Sequence, residues 1–386
     1  MAMVAGASHF IPVYLDCNAT TPLEPEVIDI VEHYLRVEYG NAGSRTHTYG
    51  QQANRAVQNA REQIAQLASC ASDEVYFTSG ATEANNLSLL GLAAYGEETE
   101  RHHIVTTAIE HKAVLEPLEA LEQRGFEVSY VAPTQQGWVD PNAIYDAMRP
   151  DTLLVSVMHA NNETGVVQPV AKVAEMLSDH PAFLHTDAAQ GFGKDLDTLR
   201  HPRIDLISLS GHKLYAPKGI GALIGRRRGH KRPPIQPLLY GGGQERGWRP
   251  GTLPVHLIAG LGKAAEVALR DHDKRATYCT EFKQTMLREL GELDLHVHGD
   301  SSRTLPHVVN VSFSNIDSEA VMLALRDHVA ISNGSACTST IYEPSHVLQA
   351  MGLDEEDAET ATRWSWSHLT PEPDWAGVRE AIRVLL

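Results

Sequence analysis

Between about residues 75 and 226 the chain alternates short apolar runs with amphipathic stretches, and that alternation restricts its fold more than any other feature. His103-Ile104-Val105-Thr106-Thr107, Leu153 to Met158 and Asp205 to Leu209 read as buried strands. Lys112 to Gln123 and Val170 to Leu177 carry apolar residues three and four apart and read as helices. Strand, helix, strand, helix predicts an α/β fold with a mostly parallel sheet covered on both faces. Ligands of such folds sit beyond the carboxyl ends of the strands. Candidate chemistry is therefore sought where each strand stops. Residues 264–386 read differently. One helix is expected over Lys263 to Leu290, then strands near Val308 to Phe313 and Val329 to Ile331 with a helix between them, as in a separate α+β lobe.

Composition narrows the class. Lys plus Arg number 32 and Asp plus Glu 49, so the net charge of −17 disfavours direct binding of nucleic acid or anionic lipid. No apolar run is long enough to span a membrane. The first ten residues carry no Lys or Arg and so lack the charged start of a secretory signal. Cys17, Cys70, Cys279 and Cys337 show neither a disulfide framework nor zinc spacing, which suits a reducing cytoplasm and predicts no metal site. The basic cluster Arg226-Arg227-Arg228 through Lys231-Arg232 reads as a solvated hairpin.

Six segments carry candidate chemistry. Ser210-Gly211-His212-Lys213 places a lysine at a strand end among small and polar neighbours, as a Schiff-base lysine needs. Asp187 ends the run from Phe183 and is followed by Ala188, Ala189 and Gln190; small residues there admit a flat ring, whose pyridine nitrogen a carboxylate keeps protonated. Thr78-Ser79-Gly80-Ala81-Thr82 is a strand-to-helix turn whose free N–H groups suit a single phosphate, without the paired glycines of a dinucleotide turn or the lysine of a P-loop. His111 and Asn161-Asn162-Glu163 close two further strands, as a stacking ring and as polar contacts. Each alone is also a plain cap, turn or solvated residue. Together they describe a pyridoxal phosphate pocket. Separately, Asn333 to Ser339 surrounds Cys337 with small and polar residues, the setting of an exposed, reactive thiol.

Leu15 to Pro22, Ser79 to Asn86, Glu110-His111-Lys112, Asn161 to Glu163, Asp187 to Gln190, Ser210 to Lys213, Gly241 to Pro254 and Gly334 to Ser339 together resemble the cysteine desulfurases. These are class V aminotransferase-group enzymes of the fold-type I pyridoxal phosphate class. The segment around Cys337 is similar to the group with a long, mobile cysteine loop. The resemblance implies a large domain (26–263) with a seven-stranded sheet, a small domain (264–386) and an N-terminal segment (1–25) joining the latter. It implies that Lys213 carries the cofactor, Asp187 faces the ring nitrogen, His111 stacks on the ring and Gln190 meets the phenolic oxygen. Ala81, Thr82, Ser210 and His212 would bind phosphate, and Thr252 would reach the phosphate of a partner subunit, so a homodimer is expected. Asn162, which also borders the cofactor, and Arg363 would anchor the carboxylate of L-cysteine. Cys337 would take the sulfur as a persulfide, release L-alanine, and pass sulfur to an acceptor protein.

Two departures stand out. Trp364-Ser365-Trp366-Ser367-His368 replaces the family's usual Phe-Ser-Leu-Gly-Arg, which simple repacking would explain. Only 23 residues follow Arg363, so docking of a cluster scaffold by the usual tail is not expected. The chain resembles, more narrowly, the desulfurases that serve DNA phosphorothioation; supply to iron–sulfur clusters or tRNA thiolation stays open. So do a selenocysteine lyase or aminotransferase on the same scaffold, and a non-catalytic docking protein.

Overall fold

The computed structural model describes residues 11–313, 316–333 and 345–386. In chain order the strands are β1 (Val13–Tyr14), β2 (Val75–Thr78), β3 (His103–Thr107), β4 (Glu127–Val131), β5 (Thr152–Ser156), β6 (Phe183–Asp187), β7 (Leu206–Ser210), β8 (Gly221–Gly225), β9 (Leu295–His298), β10 (Val308–Phe313), β11 (Val329–Ala330) and β12 (Thr362–Ser365). The largest sheet has seven strands in the order β2-β8-β7-β6-β5-β3-β4. Only β8 runs antiparallel to its neighbours. This is the mostly parallel α/β sheet the alternation predicts.

Every residue of β2, β3, β5, β6, β7 and β8 is buried, so these strands need no polar side to face water. Because β8 is antiparallel to both β7 and β2, strand β2 is parallel to β7. The carboxyl ends of β2, β3, β5, β6 and β7 therefore lie along one edge. The antiparallel β8 enters at that same edge through Gly221. A Cβ there would sit 2.6 Å from Gly80 Cα, so only glycine lets the turn after β2 lie against it.

A second core lies around the three-stranded sheet β12-β10-β9. It contains Leu15, Phe282, Val311, Phe313, Trp364, Trp366 and Trp375. Strand β1 joins this side by pairing in parallel with β11. The expected single helix from Lys263 to Leu290 is two: Val255–Arg270 and His272–Leu290. The chain turns at Asp271, whose backbone is non-helical at φ −106° and ψ 14°. Periodicity alone cannot register a break that keeps the apolar phase on both sides. Residue 263 consequently lies inside the first of these helices.

Trp364 and Trp366 are both fully buried, and their indole N–H groups donate to Thr362 Oγ1 and the Cys279 carbonyl, each at 3.0 Å. They are core, as repacking requires. The basic cluster is less solvated than its charge suggests. Arg226 is buried and donates to the carbonyls of Ala68, Leu199, His201 and Ile204. Arg227 pairs with Asp73 and Arg228 with Asp205. No helix among the described residues is long and apolar enough to cross a membrane.

Candidate active site

Beyond the shared edge of β2, β3, β5, β6 and β7 lies a cleft of about 480 Å3, within the range of small-molecule sites. The cleft collects Ala81, Thr82, His111, Asn162, Asp187, Gln190, Ser210, His212, Lys213 and Arg363. These are the residues that sequence reasoning assigned to cofactor and substrate, apart from two. Thr252 is exposed and does not line this cleft. Cys337 lies outside the described residues.

Each wall has a local cause. Strand β2 ends at Thr78 and a helix starts at Ala81 (Ala81–Leu90), leaving its first N–H groups without intrahelical partners and directed at the cleft. Glu83 does not fill that position: its carboxylate accepts from Ser79 N at 2.7 Å and from Arg249 Nε at 2.9 Å. His111 caps the helix Lys112–Glu122, its Nδ1 accepting from Ala113 N at 3.0 Å. Burial pulls its pKa below the usual imidazole range, so at neutral pH the ring is uncharged and suited to stacking. Burial and the lysines 213, 218 and 194 bring His212 down to about 4, so it too acts as a neutral donor.

Asp187 closes β6. Its Oδ1 accepts from Ala189 N at 2.9 Å and its Oδ2 from Asn85 Nδ2 at 2.7 Å. Two neutral donors orient the carboxylate without neutralising it. Lys213 follows β7, and its Nζ donates to the carbonyls of Asn18 and, at 2.8 Å, Ala19. Asn18 is a hub. Its backbone N donates to Ser365 Oγ at 2.8 Å and its Nδ2 to the Asn162 carbonyl at 3.1 Å, while its carbonyl also accepts from Gln190 Nε2. Arg363 Nη1 donates to the Asn162 carbonyl at 3.0 Å, and Nη2 pairs with Asp16 Oδ1 at 2.7 Å.

Asp16, Asn18 and Asn85 were not singled out in the sequence. Asn85 stands in the quoted Ser79-to-Asn86 turn, one helical turn past the phosphate position, and could have been found there. Asp16 and Asn18 stand in the quoted Leu15-to-Pro22 segment, which was given no role of its own.

The residues fit pyridoxal phosphate. Gln190 Oε1 is buried in the cleft wall without a partner among the described residues. A Cβ at Gly80 would have only Ser210 Oγ near, at 3.8 Å, so the turn leaves room for a group above it. The donor set there is neutral N–H and hydroxyl, which suits a phosphate. Among the described residues no group of three or more His, Cys, Asp and Glu side chains is placed to hold a metal.

An α/β sheet with a lysine, a carboxylate and an anion cradle at one edge defines a pyridoxal phosphate enzyme. The chain belongs to the aminotransferase class-V family, which it matches over residues 13–372 and whose members use that cofactor. It is 43% identical over 377 residues to the cysteine desulfurase IscS of Vibrio campbellii, covering 97% of this chain and 92% of the relative. It is also similar to the crystal structure of DndA from Streptomyces lividans, with 49% identity, a TM-score of 0.81, and coverage of 92% of this chain and 99% of that one. A structure of SspA in complex with cysteine matches at 36% identity and a TM-score of 0.81, covering 92% and 98%.

Proposed function

We propose that this chain is a cysteine desulfurase that converts L-cysteine to L-alanine and holds the sulfur as a persulfide on Cys337. The observation that carries the reading is one cleft in which Lys213 and Asp187 stand beside the Asn162–Arg363 pair. Pyridoxal phosphate bound there supplies an electron sink for the α-carbon of an amino acid. Ala81, Thr82, Ser210 and His212 would hold its phosphate, Asp187 would keep its ring nitrogen protonated, His111 would cover its face, and Gln190 would meet its phenolic oxygen. Arg363 and Asn162 fix the substrate carboxylate. Lys213 Nζ moves the proton at the substrate α-carbon. The Cys337 thiolate attacks the substrate sulfur: an S–S bond forms as the bond from sulfur to the β-carbon breaks, the β-carbon keeps that electron pair and takes a proton to become the methyl of alanine, and its two-electron reduction balances the oxidation of the two sulfurs to a persulfide.

The working form in this reading is a cytoplasmic homodimer. Thr252 is exposed and outside its own cleft, and Leu239 and Tyr240 nearby are exposed at 53% and 87%, as a partner-facing segment would be. A large domain of 26–263, a small one of 264–386 and the joining segment 1–25 belong to the same reading, supported by the β1–β11 pairing. The sulfur goes to an acceptor protein, and the likeness to DndA supports DNA phosphorothioation as its destination. The likeness to IscS supports cluster assembly as the second reading.

Replacement of Cys337 by Ala tests the central step. Sulfide and protein persulfide from L-cysteine should fall by about 10²-fold or more, as for loss of a nucleophile, while cofactor absorbance stays. Unchanged sulfide release would leave a lyase or aminotransferase in its place. Transfer of labelled sulfur from Cys337 to a cellular protein identifies the pathway.

A further inference from the structure

The segment Gly241 to Pro254, which carries Thr252, has a backbone that its side chains disfavour. Glu245 lies at φ +48° and Arg246 at φ +55°, and Gly247 continues at φ +88°. Left-handed values crowd a Cβ against the following carbonyl oxygen, so residues other than glycine visit that region singly. Among the described residues no other two adjacent non-glycine residues share it. Such a turn persists only where its surroundings impose it.

Here they do. Arg61, on the helix Thr48–Ala68, donates through Nη1 to Glu245 Oε2 at 2.8 Å and through Nη2 to Glu245 Oε1. The two side chains are 5% and 0% exposed, so this two-toothed pair is closed to water. Arg61 Nη1 also donates to the Val75 carbonyl at 2.6 Å, and Glu245 Oε2 accepts from Phe77 N at 2.7 Å. The pair thereby pins the strained turn to β2. Further along, Trp248 stacks on Tyr76 of that strand with ring centroids 4.0 Å apart. Arg249 reaches Glu83, whose carboxylate accepts from Ser79 N in the turn after β2. Gln244 Oε1 accepts from Gly251 N at 2.8 Å and closes the segment on itself.

Thr252 follows at once and is exposed, outside its own cleft. No cofactor of its own subunit can hold its hydroxyl, so its place is fixed from behind. We propose that Arg61 and Glu245 are a positioning pair, which holds this turn so that Thr252 meets the cofactor phosphate of a second copy of this chain. The proposal rests on the homodimer reading of Thr252 and adds the groups that set where the threonine stands.

The test is cofactor release from the full-length holoenzyme, followed as decay of the visible band after dilution. Thr252→Ala should speed release about tenfold, the worth of one hydrogen bond to a charged group. Glu245→Gln keeps the shape but loses the charged, two-toothed hold, and should speed release to a similar degree. The double variant should be no faster than the faster single one, because both act through one contact. Arg246→Gly removes the Cβ at φ +55°, and with it part of the strain that the pair opposes. It should bring E245Q back toward the parental rate and leave T252A unrescued. Release from T252A at the parental rate removes the homodimer role of Thr252 and the proposal with it. A fast T252A beside an E245Q at the parental rate overturns the proposal alone. So do single effects that multiply, or an R246G that rescues nothing. Should E245Q not fold, Arg61→Lys, which keeps the charge but not the planar fork, is judged by the same criteria.

Discussion

The two walls of the cleft are built by different means. One wall is the row of strand ends: Ala81 and Thr82 after β2, His111 after β3, Asn162 after β5, Asp187 at the end of β6, and Lys213 after β7. The other is Asn18 and Arg363, backed by Asp16; Asp16 and Arg363 are 347 residues apart and meet only because β12 stands beside the N-terminal segment. The first wall follows from closing one parallel sheet. The second depends on docking another sheet against it. In the proposed reading the sheet edge would serve mainly the cofactor, and Arg363 of the docked wall, together with Asn162, the substrate carboxylate. The strongest way to break the first wall alone is Lys213→Ala. Turnover should fall by roughly 10²- to 10⁴-fold, with loss of the visible cofactor band. A variant that kept both band and turnover would remove the lysine from the mechanism and the sheet edge from the chemistry.

The two walls also rest on different layers, and acid separates them. Under the first, His185 on β6 lies between Ser156 Oγ at 2.8 Å and Ser208 Oγ at 3.0 Å. Burial brings it to about 4. The unfolded imidazole titrates near about 6.5, so between about 4 and about 6.5 the unfolded chain binds the extra proton. Stability from this group is therefore full above that window and is lost as pH falls through it, by about 3 kcal/mol. Urea midpoints measured from neutral to acid pH should drop steeply. In His185→Gln, which keeps a hydrogen-bonding side chain but does not titrate, the slope should be visibly flatter. An unchanged slope would assign acid sensitivity to other imidazoles brought to about 4, His212 in the cleft or His298 in the second layer.

The sheet edge was legible in the sequence because each of its residues sits within a few positions of a strand end, and strand ends show as breaks in apolar runs. The docked wall was legible only through family likeness. Nothing around Asp16 announces that its partner is Arg363. Asn85 meets Asp187 across 102 residues, so its amide reads as an ordinary helix position until the sheet closes. Arg226 misled for the opposite reason: a run of three arginines looks solvated, yet one of them is buried and spends its donors on four carbonyls. Local pattern reports which face is apolar. It does not report where a long cationic side chain finds acceptors. Trp364 and Trp366 are two residues apart and so share one face, which packs into the second core; Ser365 between them is buried as well, so this edge strand is covered on both sides.

The smallest effect sharpens the contrast most. Arg363 is 1% exposed and spends one N–H on the Asn162 carbonyl and another on Asp16. In the proposed reading the carboxylate of L-cysteine would share or displace the Asp16 contact. Arg363→Lys loses the planar two-toothed donor, and a charge-assisted hydrogen bond is worth about 1.5–3 kcal/mol, so KM for L-cysteine should rise roughly tenfold to a hundredfold with a smaller change in kcat. Asp16→Asn keeps the shape but removes the competing charge. If Asp16 is a rival for the guanidinium, KM should fall by about two- to fivefold, and the double variant should show less than the product of the single effects, since the two residues are in contact. A rise in KM on the scale of R363K would instead make Asp16 the group that holds the arginine in place, and the docked wall would then be as preorganised as the sheet edge. Cofactor absorbance should stay constant throughout the series; a shift in it would show that the two walls are not separable.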